Sequence, residues 1–196
     1  MENVLVTGFG PFAEHEVNAS WEVVKELANM GLDGKGNLVI KEIPVSYDYV
    51  LAHVPELWRK YKPKLCIHVG VSSITEVVQL EKHAYNSNYS LPDINDEWPP
   101  NNECVKGGHE CHQTNIDVAK VCQQLKKNDN PCKVDTSSDA GRYLCEFIYY
   151  MSMNERLKPE FSSSSVLFVH VPMLDKPYSK ENLAKTLKLI ALEILS

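Results

Sequence analysis

Apolar positions along the chain fall into short continuous runs, separated by stretches in which they recur every three or four residues, and the two patterns alternate almost from end to end. Residues 3–8, NVLVTG, are β-branched, nearly all apolar and closed by glycine, which predicts a buried strand. A helix is expected from a cap at Asn18 through Trp21, Val24, Leu27 and Ala28 to a stop at Gly31. NLVIKEIPV predicts a second strand. SYDYVLAHVPELWRKY places Tyr49, Val50, His53, Val54, Leu57 and Trp58 at helical spacing, with Pro55 expected to break or restart the helix. KLCIHVGV, residues 64–71, is a third buried strand.

Residues 75–86 alternate instead, with Val77, Gln79, Glu81 and His83 on one face and Val78, Leu80 and Lys82 on the other. This predicts one strand that aims a carboxylate to one side. The Asn-, Pro-, Asp- and Gly-rich stretch 87–113 is expected to lack regular structure and to border a cleft as a lid. A helix near 114–127, a strand near 131–136, a helix carrying Cys145, the strand SVLFVHV and a last helix follow. Ser179 should cap that last helix, with Leu183, Leu187, Ile190 and Ile194 as its apolar stripe. Alternation of this kind predicts a three-layer α/β/α sandwich around a mostly parallel twisted sheet, built as a single domain over residues 1–196.

Composition narrows the function classes. With 43% hydrophobic and 23% charged residues the chain reads as an ordinary globular protein, and its net charge of -6 offers no bulk attraction to nucleic acid or to an anionic membrane. The opening MENVLVTGFGPF has an acidic residue at position 2 and too short an apolar run for a signal peptide or a membrane span, so a cytoplasmic address is expected. Six cysteines in that compartment are expected as free thiols, and the sequons at Asn18 and Asn88 as coincidental. GFGPFA matches a dinucleotide pattern at Gly8, Gly10 and Ala13. Pro11 and the late start of the next helix argue against nucleotide, and the loop is read instead as presenting Phe9 and Phe12 at the carboxyl end of a strand. CVKGGHECH gathers Cys104, His109, Cys111 and His112, but the spacing is not that of a zinc site. No metal or cofactor is expected.

Cys145 stands out because of SSDAGRYLCEFIYY, residues 137–150. If Ser138 or Asp139 caps a helix beginning near Gly141, the thiol lies in its first turns, where the helix dipole and Arg142 both favour a thiolate nucleophile. His170, at the end of a strand, should emerge on the same side of the sheet and serve as base. Glu81 could orient that imidazole, but Glu76, Asp139 and Asp175 are equal candidates on these grounds.

VTGFGPF, VNASW, EIPVSY, HVGV, LEKHAYN, SDAGRYLCEFIYY and FVHVP together, over essentially the whole chain, resemble type I pyroglutamyl peptidases, with animal members the nearest in wording. The resemblance implies a cysteine omega-peptidase that hydrolyses the amide after an N-terminal pyroglutamyl residue, with Cys145 as nucleophile, His170 as base and Glu81 as third member. It further implies that Phe9 and Phe12 line the lactam pocket and that backbone atoms of Gly70 and Val71 bind the ring. The implied partners are pyroglutamyl peptides; a monomer is expected, as is no binding to nucleic acid or membrane. The other reading is a catalytically silent relative that only binds such peptides. Many bacterial members carry an arginine a few residues after the asparagine of LEKHAYN, whereas NSNYSLPD here has none, which leaves the oxyanion support open.

Overall fold

The computed structural model describes residues 1–13 and 16–196. Strands β1 (Asn3–Phe9), β2 (Asn37–Ile43), β3 (Leu65–Val71), β4 (Val78–Glu81), β7 (Val134–Ser137) and β8 (Ser165–Val171) form one sheet in the order β2-β1-β3-β8-β4-β7. Every neighbouring pair is parallel except β8 with β4. Short β5 (His83–Tyr85) and β6 (Cys111–Gln113) make a separate antiparallel ribbon.

Helices cover both faces, as the run-and-period pattern requires. Helices α1 (Ala19–Met30), α3 (Val118–Lys127) and α5 (Lys180–Ile194) pack with Val4, Val6, Ile67, Leu80, Leu167 and Val169 on one side. Helices α2 (Tyr47–Tyr61) and α4 (Leu144–Arg156) pack with Leu5, Cys66, Val166 and Phe168 on the other. Strand residues therefore alternate between two buried faces, which is why β1, β3 and β8 read as unbroken apolar runs. Gly8 sits where α1 crosses β1, and a Cβ there would stand 2.8 Å from the Trp21 Cα and 2.9 Å from the Ser20 carbonyl oxygen. This glycine serves close packing of helix on strand.

Local chemistry explains the departures from the sequence pattern. Helix α2 runs straight through Pro55 instead of breaking. An interior proline costs about 3 kcal/mol, while each large apolar side chain buried contributes about 1.5–3 kcal/mol, and Tyr47, Val50, Val54 and Trp58 are buried on both sides of it. Helix α3 starts only at Val118, under an Asp117 cap that accepts from the Lys120 N–H at 3.0 Å. The residues before it are held elsewhere: Thr114 Oγ1 donates to the Val166 carbonyl and Asn115 Nδ2 to that of Ser164.

The alternating stretch 75–86 is two strands, not one. At Lys82 the chain leaves the sheet, its carbonyl taken by the Thr114 N–H, and β5 pairs with β6. Stretch 87–113 likewise contains regular structure, a 3-10 turn at Pro100–Asn102 and strand β6, which the sequence expectation lacked. Among the described residues no helix is long and apolar enough to cross a membrane.

Candidate active site

The register of the sheet brings two distant positions side by side. In the parallel pairing of β3 with β8, Gly70 lies opposite His170, and on the other edge of β8 the antiparallel β4 sets Gln79 opposite His170. Gln79 and Glu81 point away from the face that buries Val78 and Leu80, toward α4, as the alternation predicts. Glu81 is fully buried, and its Oε1 accepts from His170 Nδ1 at 2.7 Å. Tyr149 Oη of α4 donates to the Glu81 carbonyl at 2.9 Å and fixes the strand beneath it. Glu81 Oε2 is buried without a hydrogen-bond partner among the described residues, which leaves the imidazole as that carboxylate's principal polar contact. Among the described residues the carboxylate that meets His170 is Glu81, and no hydrogen bond or ion pair joins the imidazole to Glu76, Asp139 or Asp175.

Cys145 comes to the same place from α4. The helix begins at Leu144, later than a Ser138 or Asp139 cap would start it, because Gly141 and Arg142 take left-handed φ values of 101° and 56° that no right-handed helix accommodates. Asp139 braces this turn instead, accepting from the Gly141 N–H at 3.0 Å. The later start puts Cys145 at the second helical position, where no side chain caps the N–H groups. Its sulfur lies directly over Gly70, since a Cβ built there would be 2.5 Å from Sγ. The thiol is near enough to the His170 imidazole to act on its charge. Burial acts most strongly on His170 and lowers its pKa, but hydrogen bonding and charge attraction from Cys145 and Glu81 outweigh it and raise the value above the ordinary 6.5.

Arg142 does not serve the thiol as expected. Its guanidinium pairs with Glu146, 2.7 Å from Oε2, and lies over the Tyr85 ring. Glu146 is itself fully buried and also accepts from the N–H groups of Arg142 and Tyr85. A carboxylate adjacent to Cys145 thus ties the left-handed turn, the helix and β5 together. Only its position next to the cysteine could have flagged it, since a glutamate in a helix ordinarily reads as a solvated charge.

Beside the thiol opens a cavity of about 70 Å³ walled by Phe9, Phe12, Val45, Val71, Tyr143 and Cys145. Phe9 is buried and shares the core behind it. The pairing of β1 with β3 stops at Gly8 and Val69, so Gly70 and Val71 run past it at this edge. Asn18 holds the loop in front, with its Oδ1 accepting from Ser20 and its Nδ2 donating to the Gly10 carbonyl at 3.0 Å. Tyr143, which sequence reasoning did not single out, links the cavity to the long loop by donating to the Pro92 carbonyl at 2.9 Å. That loop is anchored by Asp93, whose carboxylate accepts from the N–H groups of Tyr47, Asn95 and Glu97.

The remaining histidines and cysteines are placed apart from this site. His68 is buried between Thr7 and Ser152, and His53 stacks on Tyr49. Cys104 contacts the Tyr85 carbonyl, Cys111 that of His112, and the His112 ring packs against Tyr150. Among the described residues no three metal-ligating side chains gather, and all six cysteines are free.

A thiol at an uncapped helix start, beside an imidazole steadied by a buried carboxylate on an α/β scaffold, defines a cysteine-type hydrolase. A family model described as pyroglutamyl peptidase matches residues 2–188, and the chain belongs to that family. It is 43% identical over 192 residues to the Homo sapiens protein named pyroglutamyl-peptidase 1, covering 98% of this chain and 89% of the relative. Identity to the pyrrolidone-carboxylate peptidase of Bacillus amyloliquefaciens is 29%, with 97% and 91% covered. A crystal structure of Bacillus amyloliquefaciens pyroglutamyl peptidase I superposes with a TM-score of 0.89 at 26% identity, over 100% of this chain and 97% of that one.

Proposed function

We propose that residues 1–196 work as one domain, a cytoplasmic monomer, that hydrolyses the amide joining an N-terminal pyroglutamyl residue to the rest of a peptide. The observation that carries this reading is the meeting of Cys145, His170 and Glu81 beside a small cavity flanked by Phe9 and Phe12, in a chain of this family. Free thiols suit a reducing compartment, and the apolar stripes of the helices are used within the core, which favours a monomer.

In this mechanism His170 takes the Cys145 proton, and the sulfur attacks the pyroglutamyl carbonyl. Charge developing on that oxygen is met by backbone N–H groups at the start of α4. The imidazolium returns its proton to the departing amine as the C–N bond breaks, and a thioester remains. Water, deprotonated by His170, then attacks the thioester, which releases pyroglutamate and restores the thiol. Glu81 holds the Nδ1–H tautomer and stabilises the imidazolium throughout.

The lactam is flat and uncharged. Phe9 and Phe12 suit its faces, and the edge of β3 at Gly70 and Val71 offers backbone partners for its ring N–H and C=O. Proline lacks the ring carbonyl and would leave a donor unpaired.

The test is release of a fluorescent amine from a pyroglutamyl amide under reducing conditions, with the prolyl amide and Cys145→Ala as controls. Release confined to the pyroglutamyl amide and to the protein with Cys145 is expected. Folded protein that releases nothing would sink the reading and leave a binding relative.

A further inference from the structure

Cleavage requires the leaving nitrogen to sit against His170, because that imidazole must protonate it. The peptide beyond the scissile bond therefore starts where β8 ends, and the chain there continues as Val171, Pro172, Met173 and Leu174. A groove of about 350 Å³ lies along this segment. It shares Phe12, Asn18 and Val71 with the cavity beside Cys145, so the two spaces adjoin at these residues. Val17, Ala19, Met173 and Leu174 also line it, and none of the described residues lining it is charged.

The floor of this groove is braced. The Ser72 N–H donates to the Val171 carbonyl, the Lys176 N–H to that of Met173 and the Asp175 N–H to that of Tyr178, while Leu174 packs on the core beneath α5. Phe12 also lines a second groove, bounded by the long loop, which carries Glu16, Asp93 and Asp96. The two sides of the cleft differ in chemistry, apolar along β8 and acidic along the loop.

We infer that the groove at Val17, Met173 and Leu174 is the subsite for the residue that follows pyroglutamate, and that it selects an apolar side chain there. The inference rests on the peptidase reading above. It assigns the second residue to the β8 side of the cleft rather than to the loop side. Val17 is exposed and Met173 only partly buried, so a side chain from the substrate covers apolar surface that is otherwise wet.

The experiment is a comparison of kcat/KM for pyroglutamyl dipeptide amides with leucine, glycine or aspartate second. Leucine should exceed aspartate by about 10-fold or more, the range that a hydrophobic pocket supports. Met173→Lys should shrink or invert that ratio by raising kcat/KM for aspartate, a gain that misfolding cannot produce. Glycine places no side chain in the groove and reads the proposed peptidase activity by itself. Glycine cleaved with a flat leucine-to-aspartate ratio would overturn the groove alone, and no cleavage of any member would overturn the peptidase reading with it. A ratio unmoved by Met173→Lys but shifted by Ile94→Lys, a change at a residue lining the loop-side groove, would overturn the assignment in favour of the loop side.

Discussion

The Cys145 sulfur rests on Gly70: a Cβ at that glycine would stand 2.5 Å from Sγ and 2.7 Å from the Phe168 ring. The proposed nucleophile is therefore positioned by the absence of a side chain on β3 as much as by its own helix. Gly70→Ala should push the thiol off its place while leaving the strand's extended backbone intact. A shift of about 1 Å at a reacting atom costs ~100-fold in rate, and overpacking of this kind costs about 1–3 kcal/mol in stability. We expect kcat/KM for a pyroglutamyl amide to fall by about that factor with a modest loss of Tm. Unchanged turnover in the variant would show that the sulfur is free to move aside.

The His170–Glu81 contact ties stability to pH. His170 has a raised pKa in the folded protein, so its contribution is fully present below the ordinary imidazole value of 6.5 and is lost as pH rises through the raised value. Glu81→Gln keeps an oxygen that can accept from Nδ1–H but removes the charge, and should lower the His170 pKa. Two results are expected: a loss of kcat of ~100-fold or more, in the range of acid–base catalysis, and a stability gap to wild type that narrows at alkaline pH. Urea unfolding at neutral and alkaline pH, beside steady-state rates, checks both. A gap that widens with rising pH would contradict the sign.

The strands that carry this site were legible because β1, β3 and β8 are buried on both faces and leave continuous apolar runs. Glu81 was placed on the correct face by alternation, yet its pairing with His170 required β4 to lie beside β8 in antiparallel register, a long-range fact that no local pattern encodes. The start of α4 was misread for a related reason. SSDAG resembles a cap, but left-handed Gly141 and Arg142 delay the helix to Leu144. Strand β6, at Cys111–Gln113, is too short to show a period, and it exists because β5 offers it an edge. Nothing local to Glu146 encodes its enclosure by Arg142 and Tyr85, which the left-handed turn and β5 bring to it.

Glu146 should act as a positioning residue for Cys145. Its carboxylate holds the Arg142 N–H and guanidinium and the Tyr85 N–H, and so holds the turn from which α4 and its first N–H groups project. Burial opposes the Arg142 charge most strongly, but hydrogen bonding and attraction to Glu146 prevail and raise its pKa. Glu146→Gln retains the size and loses the pairing. We expect kcat to fall about 10-fold with KM little changed, because the cavity beside Cys145 is walled by other residues, and Glu146→Asp to recover part of the loss. Equal losses in kcat and soluble yield, with no recovery by aspartate, would reduce the residue to a packing role.

His68 couples the core beneath the site to acid. Its Nδ1 is 2.6 Å from Thr7 Oγ1 and its Nε2 2.6 Å from Ser152 Oγ, a hydroxyl that also accepts from Trp58 Nε1 at 3.0 Å. A neutral imidazole has one donor and one acceptor, which these two hydroxyls satisfy, whereas the protonated ring would be a buried charge with no carboxylate bonded to it among the described residues. Burial accordingly pushes its pKa down to about 3 from the ordinary 6.5. The unfolded chain binds this proton below 6.5 and the folded protein does not until about 3, so stability is present above 6.5 and lost as pH falls through that window. One such group adds a slope of about 1.4 kcal/mol per pH unit to the unfolding free energy. Urea titrations of wild type and His68→Gln across the window should differ by that slope, the variant being less stable at neutral pH but less sensitive to acid. Parallel curves would mean that His68 takes up no proton on unfolding, and the acid sensitivity of the fold would then lie elsewhere.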